Sequence, residues 1–261
     1  MGDERRRAAV IGHPIAHSRS PQMHNAAYEA LGLDWRYEAI DVPPRELEGF
    51  VRGLADSELS GINVTIPHKQ AVLEWCDWVA AEATAAGSVN TIVVGDDGRL
   101  IGHSTDGAGL LWALGAHDPS EALVLGAGGA ARAAAMALVG AGWQVSVAAR
   151  RAEAAREVGV PVTGWPPSEL PQLVVNATPV GQSGDLDALP LDAALLRPDL
   201  TVCDLAYRGD GRPTPLVAAA SARGARVVDG LEVLVGQGIL AFELLTGQPA
   251  PVEVMRSAAR A

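Results

Sequence analysis

Two short segments carry side chains suited to proton chemistry. In Asn-Val-Thr-Ile-Pro-His-Lys (63–69) a run that reads as a strand is broken at Pro67, and a helix is expected to open at Lys69. That order puts Thr65 and Lys69 at the strand's carboxyl end, where open α/β sheets bind ligands. In Ser-Thr-Asp-Gly (104–107), Asp106 stands at another expected helix start after a strand. Each also has a plain structural reading, Lys69 as a surface charge and Asp106 as a helix cap.

A second constellation is made of glycines. In Leu-Val-Leu-Gly-Ala-Gly-Gly-Ala-Ala-Arg (123–132) a strand runs through Gly126, Ala127, Gly128, Gly129 and Ala130 into an Ala-rich helix. Gly126 permits a tight turn, Gly128 lets the backbone approach a pyrophosphate, and Ala131 in the third position keeps the helix close to its strand. The helix start then offers unpaired amides and the positive end of its dipole to an anion. The next strand ends in Ala148-Ala149-Arg150-Arg151, where an NAD enzyme usually carries a carboxylate for the ribose hydroxyls. A guanidinium pairs well with a 2′-phosphate, so the expected cofactor is NADP. The alternative is a solvated basic pair at a helix start, where positive charge is slightly unfavourable.

Ser18 and Ser20 stand two apart before Pro21, with Ser20 expected as the helix cap and Pro21 at the first helical position. Two hydroxyls at a helix start suit a carboxylate, although Ser-x-Ser-Pro also serves simply as a cap. His13, His17 and His24 are close in sequence but lack the acids or cysteines a metal site recruits, so no metal is expected.

Positioning these side chains requires strands alternating with helices. Val- and Ile-rich runs at 8–12, 62–66, 90–94, 122–126, 144–148, 173–177 and 201–205 read as strands, largely in parallel sheets. Asp96–Gly98 is a turn that makes a hairpin with a strand at 99–102. A helix at 107–114 and a polar stretch at 116–121 mark a boundary. Beyond it, 120–228 alternates as a doubly wound sheet does. Two helices, 231–245 with a stop at Gly247 and then 251–261, close the chain and can return to the first lobe.

Composition narrows the partners. The net charge of −11 repels phosphate backbones and anionic lipid, so neither nucleic acid nor a membrane is expected. No apolar run approaches membrane-spanning length. Cys76 and Cys203 lie far apart without metal-ligand spacing, which fits a reducing compartment, and the cytoplasm is the expected location. The arginines at 5–7 precede too short an apolar run, ended by Gly12, His13 and Pro14, to read as a secretion signal.

In order along the chain, HSRSP (17–21), NVTIPHK (63–69), SVNT (88–91), STDG (104–107), GAGGAAR (126–132), VNAT (175–178), CDLAY (203–207) and DGLEVLVGQG (229–238) closely resemble the shikimate dehydrogenase family over nearly the whole length. The resemblance implies an α/β protein of two lobes. One is an N-terminal substrate domain with a mainly parallel sheet, 1–105, completed by helices 237–261; the other is a doubly wound, Rossmann-type NADP domain, 106–236. It implies reversible, NADP-dependent reduction of 3-dehydroshikimate to shikimate, in the pathway to chorismate and the aromatic amino acids. By the same resemblance Ser18 and Ser20 hold the substrate carboxylate, and Asn63, Thr65, Asn90, Tyr207 and Gln237 contact the ring and its hydroxyls. Lys69, the general acid and base, and Asp106 flank the reacting hydroxyl. Gly126 to Ala130 carry the pyrophosphate, Arg150 and Arg151 the 2′-phosphate, and Leu205 and Gly230 lie near the nicotinamide.

The chain departs from the family pattern at Ser104, where Asn is common, at Ala149-Arg150-Arg151 in place of Asn-Arg-Thr, and at Leu205 in place of Met. The second departure removes an amide contact to the adenosine and keeps the guanidinium of Arg150. Two other readings stay open: a quinate/shikimate dehydrogenase preferring NAD, and a dinucleotide-binding sensor without chemistry. The expected assembly is a monomer or homodimer.

Overall fold

The computed structural model describes residues 6–182 and 184–261. The chain divides into two compact units: one runs to Thr105 and resumes at Leu234–Ala261, and the other is Asp106–Val233.

The first unit opens with β1 (Arg6–Gly12), α1 (Ser20–Ala30), β2 (Trp35–Asp41), α2 (Leu47–Arg52) and β3 (Leu59–Val64). It continues through β4 (Trp78–Val79), α3 (Ala81–Ala86), β5 (Thr91–Val94) and β6 (Leu100–His103). Its six-stranded sheet has the order β2-β1-β3-β5-β6-β4. β1 pairs parallel with β2 and β3, and β4 with β6. β5 is antiparallel to both its neighbours, and β5–β6 is the expected hairpin, turned at Gly98 with φ +79°. One face of the sheet packs Ala9, Ile11, Ile62, Val64 and Ile92 against Leu47 and Val51 of α2 and Ala83 of α3. Side chains alternate along a strand, so Ala8, Val10 and Asn63 project to the opposite face.

In the second unit α4 (Asp106–Leu114) leads into β7 (Glu121–Leu125), α5 (Gly129–Gly140), β8 (Gln144–Ala148) and α6 (Ala152–Arg156). β9 (Leu173–Asn176), β10 (Thr201–Asp204), α7 (Pro215–Ala222) and β11 (Arg226–Val228) complete a parallel sheet of order β11-β10-β9-β7-β8. β7 shows why such strands read as unbroken apolar runs. Ala122 and Val124 enter the core that contains Leu110, Ala134 and Leu138, while Leu123 and Leu125 enter the one that contains Leu216 and Ala220. The chain steps from β7 out to β8, then returns past β7 to β9. This creates a topological switch point at the carboxyl ends of β7 and β9, the place where such sheets bind ligands.

Two helices finish the chain, α8 (Gly230–Thr246) and α9 (Val252–Arg260). α8 stops at Gly247, φ +67°, as a C-cap glycine does, and α9 lies against α1. At Gly238 a Cβ would stand 2.2 Å from Met23 Cε, so the Met23 side chain of α1 packs directly onto this glycine of α8. Among the described residues no helix is long and apolar enough to cross a membrane.

Candidate active site

Lys69 sits in a clamped turn, not at a helix start. β3 ends at Val64, and the next helical segment is a short 3-10 turn, Ala71–Trp75, so the expected helix at Lys69 is not formed. The turn is tied down on every side. Thr65 N–H donates to Ile11 O (2.9 Å), His68 N–H to Thr65 O (3.0 Å), and Val89 N–H to the carbonyl of Lys69 itself (2.8 Å). His68 is buried with its Nε2 2.6 Å from Val42 O, so the residue before Lys69 is pinned by its side chain as well. Gly12 backs the turn, where a Cβ would lie 2.6 Å from Thr65 Cγ2.

Beside this turn lies a buried amide network. Asn63 Nδ2 donates to Thr91 Oγ1 (2.9 Å) and to Asn90 O (3.2 Å), and Asn63 Oδ1 accepts from Tyr37 Oη at 2.5 Å. Asn90 Oδ1 accepts from Thr105 N–H (2.8 Å), while its Nδ2 donates to Thr105 Oγ1 (2.9 Å) and to Gln237 Oε1 (3.2 Å). Three residues expected at the substrate, Asn63, Asn90 and Gln237, are thus joined within one unit. Ser104 Oγ and Ser88 Oγ, from the same two motifs, are buried without a hydrogen-bond partner among the described residues.

The serine segment differs from expectation in detail. α1 begins at Ser20 itself and the cap position is Arg19, with no side-chain cap. Ser18 Oγ instead accepts from Ser20 N–H at 3.3 Å. The Ser18-Arg19-Ser20 turn is held by Ser18 N–H bonding Ile15 O, and the helix starts one residue too early for Ser20 to cap it. His13 Nδ1 lies 3.0 Å from Asp41 Oδ2. Among the described residues no group of three or more His, Cys, Asp or Glu could hold a metal ion.

In the second unit Asp106 opens α4, which Gly107 lets pack tightly on α5: a Cβ there would meet Ala137 Cβ at 2.7 Å. The glycine loop lies at the switch point. Gly126 has φ +115°, and a Cβ would stand 3.0 Å from Ala177 O, so the turn requires glycine. Gly128 is the cap of α5, with no side-chain hydrogen bond and nothing within 4 Å of where a Cβ would be. The first-turn amides of a twelve-residue helix thus end in a cradle that no side chain fills, and a dinucleotide pyrophosphate fits it. Arg150 and Arg151 are exposed just past the end of β8. Tyr207 and Leu205 are partly buried in the segment after β10. Gly230 is buried against Ala206 O, 2.5 Å from where its Cβ would stand.

One feature of this loop cluster was not expected from the sequence. Asp204, at the end of β10, is fully buried and accepts from Asn176 Nδ2 (2.8 Å), Ala206 N–H (3.1 Å) and Thr214 Oγ1 (2.5 Å). Asn176 Oδ1 in turn accepts from Thr178 N–H and Oγ1, and Thr178 lies against Gly126. Burial pushes the Asp204 carboxyl up to about 6, against the three hydrogen bonds that pull it down. The sequence signal was Asp204 within CDLAY and Asn176 within VNAT, two polar residues closing strands that are otherwise apolar.

Residues 10–92 match the shikimate dehydrogenase substrate binding domain, and residues 230–260 the shikimate 5′-dehydrogenase C-terminal domain. The NADP-dependent shikimate dehydrogenase of Methanopyrus kandleri is 45% identical over 272 residues, covering 95% of this chain and 93% of that protein. The chain belongs to the shikimate dehydrogenase family. A solved member of that family, shikimate 5-dehydrogenase from Thermus thermophilus in complex with NADP(H) and shikimate, is 42% identical. It superposes with a TM-score of 0.88 over 98% of both chains. The fold also extends to quinate dehydrogenase from Corynebacterium glutamicum in complex with NAD, at 31% identity and a TM-score of 0.84, covering 97% of this chain and 98% of that one. Like these shikimate dehydrogenases, the chain is α/β with two mostly parallel sheets, the second of Rossmann type.

Proposed function

We propose that this chain is an NADP-dependent shikimate dehydrogenase that interconverts 3-dehydroshikimate and shikimate. The relation to a protein solved with NADP(H) and shikimate, which runs across both units, carries this reading. The cradle at Gly126–Ala130 would hold the pyrophosphate, and Arg150 and Arg151 the 2′-phosphate. When bound, NADPH supplies the hydride. Lys69 supplies the proton as negative charge develops on the ketone oxygen, with Asp106 as its acidic partner, and takes it back in the reverse direction. The clamped turn fixes the backbone from which the Lys69 side chain extends, and a fixed point of attachment favours the proximity that a proton donor needs. Ser18 and Ser20 hold the substrate carboxylate; Asn63, Thr65, Asn90, Tyr207 and Gln237 meet the ring and its hydroxyls.

The likeness to an NAD-bound quinate dehydrogenase favours a second reading, turnover of quinate with NAD. Higher identity to the shikimate enzymes and the arginine pair weigh against it. The purified protein, given shikimate and NADP, should form 3-dehydroshikimate and NADPH in equal amounts. Tight NADP binding with no product would identify a sensor that keeps the fold without the chemistry.

A further inference from the structure

Tyr37 lies outside every motif of the sequence, yet the structure fixes it with unusual completeness. It stands on β2, the edge strand of the first sheet, and Asn25 of α1 covers that edge: Asn25 Nδ2 donates to Tyr37 O (2.8 Å) and Tyr37 N–H donates to Asn25 Oδ1 (2.9 Å). The His24 ring stacks on the phenol at 4.2 Å between centroids, with 8° between planes. Ala8, the residue paired with Tyr37 on β1, is small enough to leave the ring a path across that strand to Asn63 on β3. Two strand spacings, about 9.6 Å, are bridged in this way.

Counting donors and acceptors shows what the phenol does. Both hydrogens of Asn63 Nδ2 are spent, on Thr91 Oγ1 and on the carbonyl of Asn90, which can only accept. Asn63 Oδ1 therefore faces Tyr37, and the phenol must donate. With one lone pair of Oδ1 occupied, the amide keeps a single acceptor direction and no donor. Thr91 Oγ1, having accepted from Asn63, donates to Asn90 Oδ1 (3.2 Å), whose orientation is independently set by Thr105 N–H.

We propose that Tyr37 is a positioning residue for substrate recognition: through its hydroxyl it fixes Asn63 as an acceptor-only contact, which selects a hydroxyl donor on the substrate. The inference rests on the reading of the site given above. Its neighbour His24 is held neutral by burial, its pKa lowered to about 3, so no charge competes for the phenol at working pH.

The test compares two tyrosines of one aromatic cluster. Tyr28 packs 5.5 Å from both Trp35 and Phe242, ring to ring, and its buried hydroxyl has no hydrogen-bond partner among the described residues. Tyr37→Phe should raise KM for shikimate about tenfold, the effect of one hydrogen bond of ordinary strength, and leave KM for NADP unchanged. Tyr28→Phe should change neither. Thr91→Val, which removes the next hydroxyl in the chain, should repeat the Tyr37→Phe effect and serves if that variant does not fold. Equal shikimate KM values for wild type, Tyr37→Phe and Thr91→Val would overturn the proposal while leaving the assigned reaction intact. A wild type that neither binds nor turns over shikimate would overturn both.

Discussion

At the scale of single residues, the proposed reaction turns on Lys69, whose carbonyl accepts from Val89 N–H in the clamped turn after β3. Lys69, Asp106 and the two serines each have a plain structural reading, as surface charge or helix cap, and it is the resemblance carried by NVTIPHK, STDG and HSRSP that implies their roles. Their local settings were less legible. The sequence reads as a helix start at Lys69, but Pro67 and the backbone bonds of Thr65, His68 and Val89 make a turn instead, and the Thr65 and Val89 bonds tie it to β1 and to the segment before β5, both distant in sequence. Lys69→Ala should lower kcat by roughly a hundredfold or more while KM changes little, as expected for a group that acts mainly in the transition state. Steady-state kinetics on shikimate check it, and a change confined to KM would make Lys69 a binding residue. Arg150→Ala should raise KM for NADP roughly tenfold and leave KM for NAD alone, because only the former carries the 2′-phosphate.

Among elements, the alternation of the second unit is readable because its central strands β7 and β9 are buried on both faces and so run largely apolar. β2 was not. As an edge strand it reads Trp-Arg-Tyr-Glu-Ala-Ile-Asp, with only Trp35 and Tyr37 buried and a single Ile, so a search for Val- and Ile-rich runs passes over it, and over Tyr37 with it. β4, two residues long, offers no period at all. The loop before α5 permits a contrast between its glycines. Gly126→Ala should weaken NADP binding and also cost about 1–3 kcal/mol of stability, since it combines a positive φ with a carbonyl 3.0 Å away. Gly128→Ala has space and an ordinary φ of −85°, so its melting temperature should stay near wild type while NADP binding is lost to a methyl group in the cradle. Melting curves with and without NADP separate the two.

For the whole molecule, the two units carry buried titrating groups of opposite sign. His24 in the first is held near 3 against an ordinary 6.5. Only the unfolded chain takes up its proton below 6.5, so this unit loses stability as pH falls from about 6.5 toward 3. Asp204 in the second is held near 6 against 3.8; the unfolded chain ionises first, so this unit loses stability as pH rises from about 4 to 6. Each slope approaches about 1.4 kcal/mol per pH unit in the shared window, with opposite signs. Calorimetric scans across pH 4.5 to 5.5, roughly the centre of that window, should show His24→Phe removing the first dependence and Asp204→Asn the second. Identical pH profiles for wild type and both variants would show that neither group titrates as its burial demands.

The most direct measurement is the specificity constant, kcat/KM, of the purified protein for shikimate and for quinate, each with NADP and with NAD. Highest kcat/KM for shikimate with NADP is the expected result, and it would join the arginine pair and the serine turn to one reaction. Faster turnover of quinate with NAD would contradict it, leaving the fold and Lys69 in place but assigning the site to another acid and another cofactor.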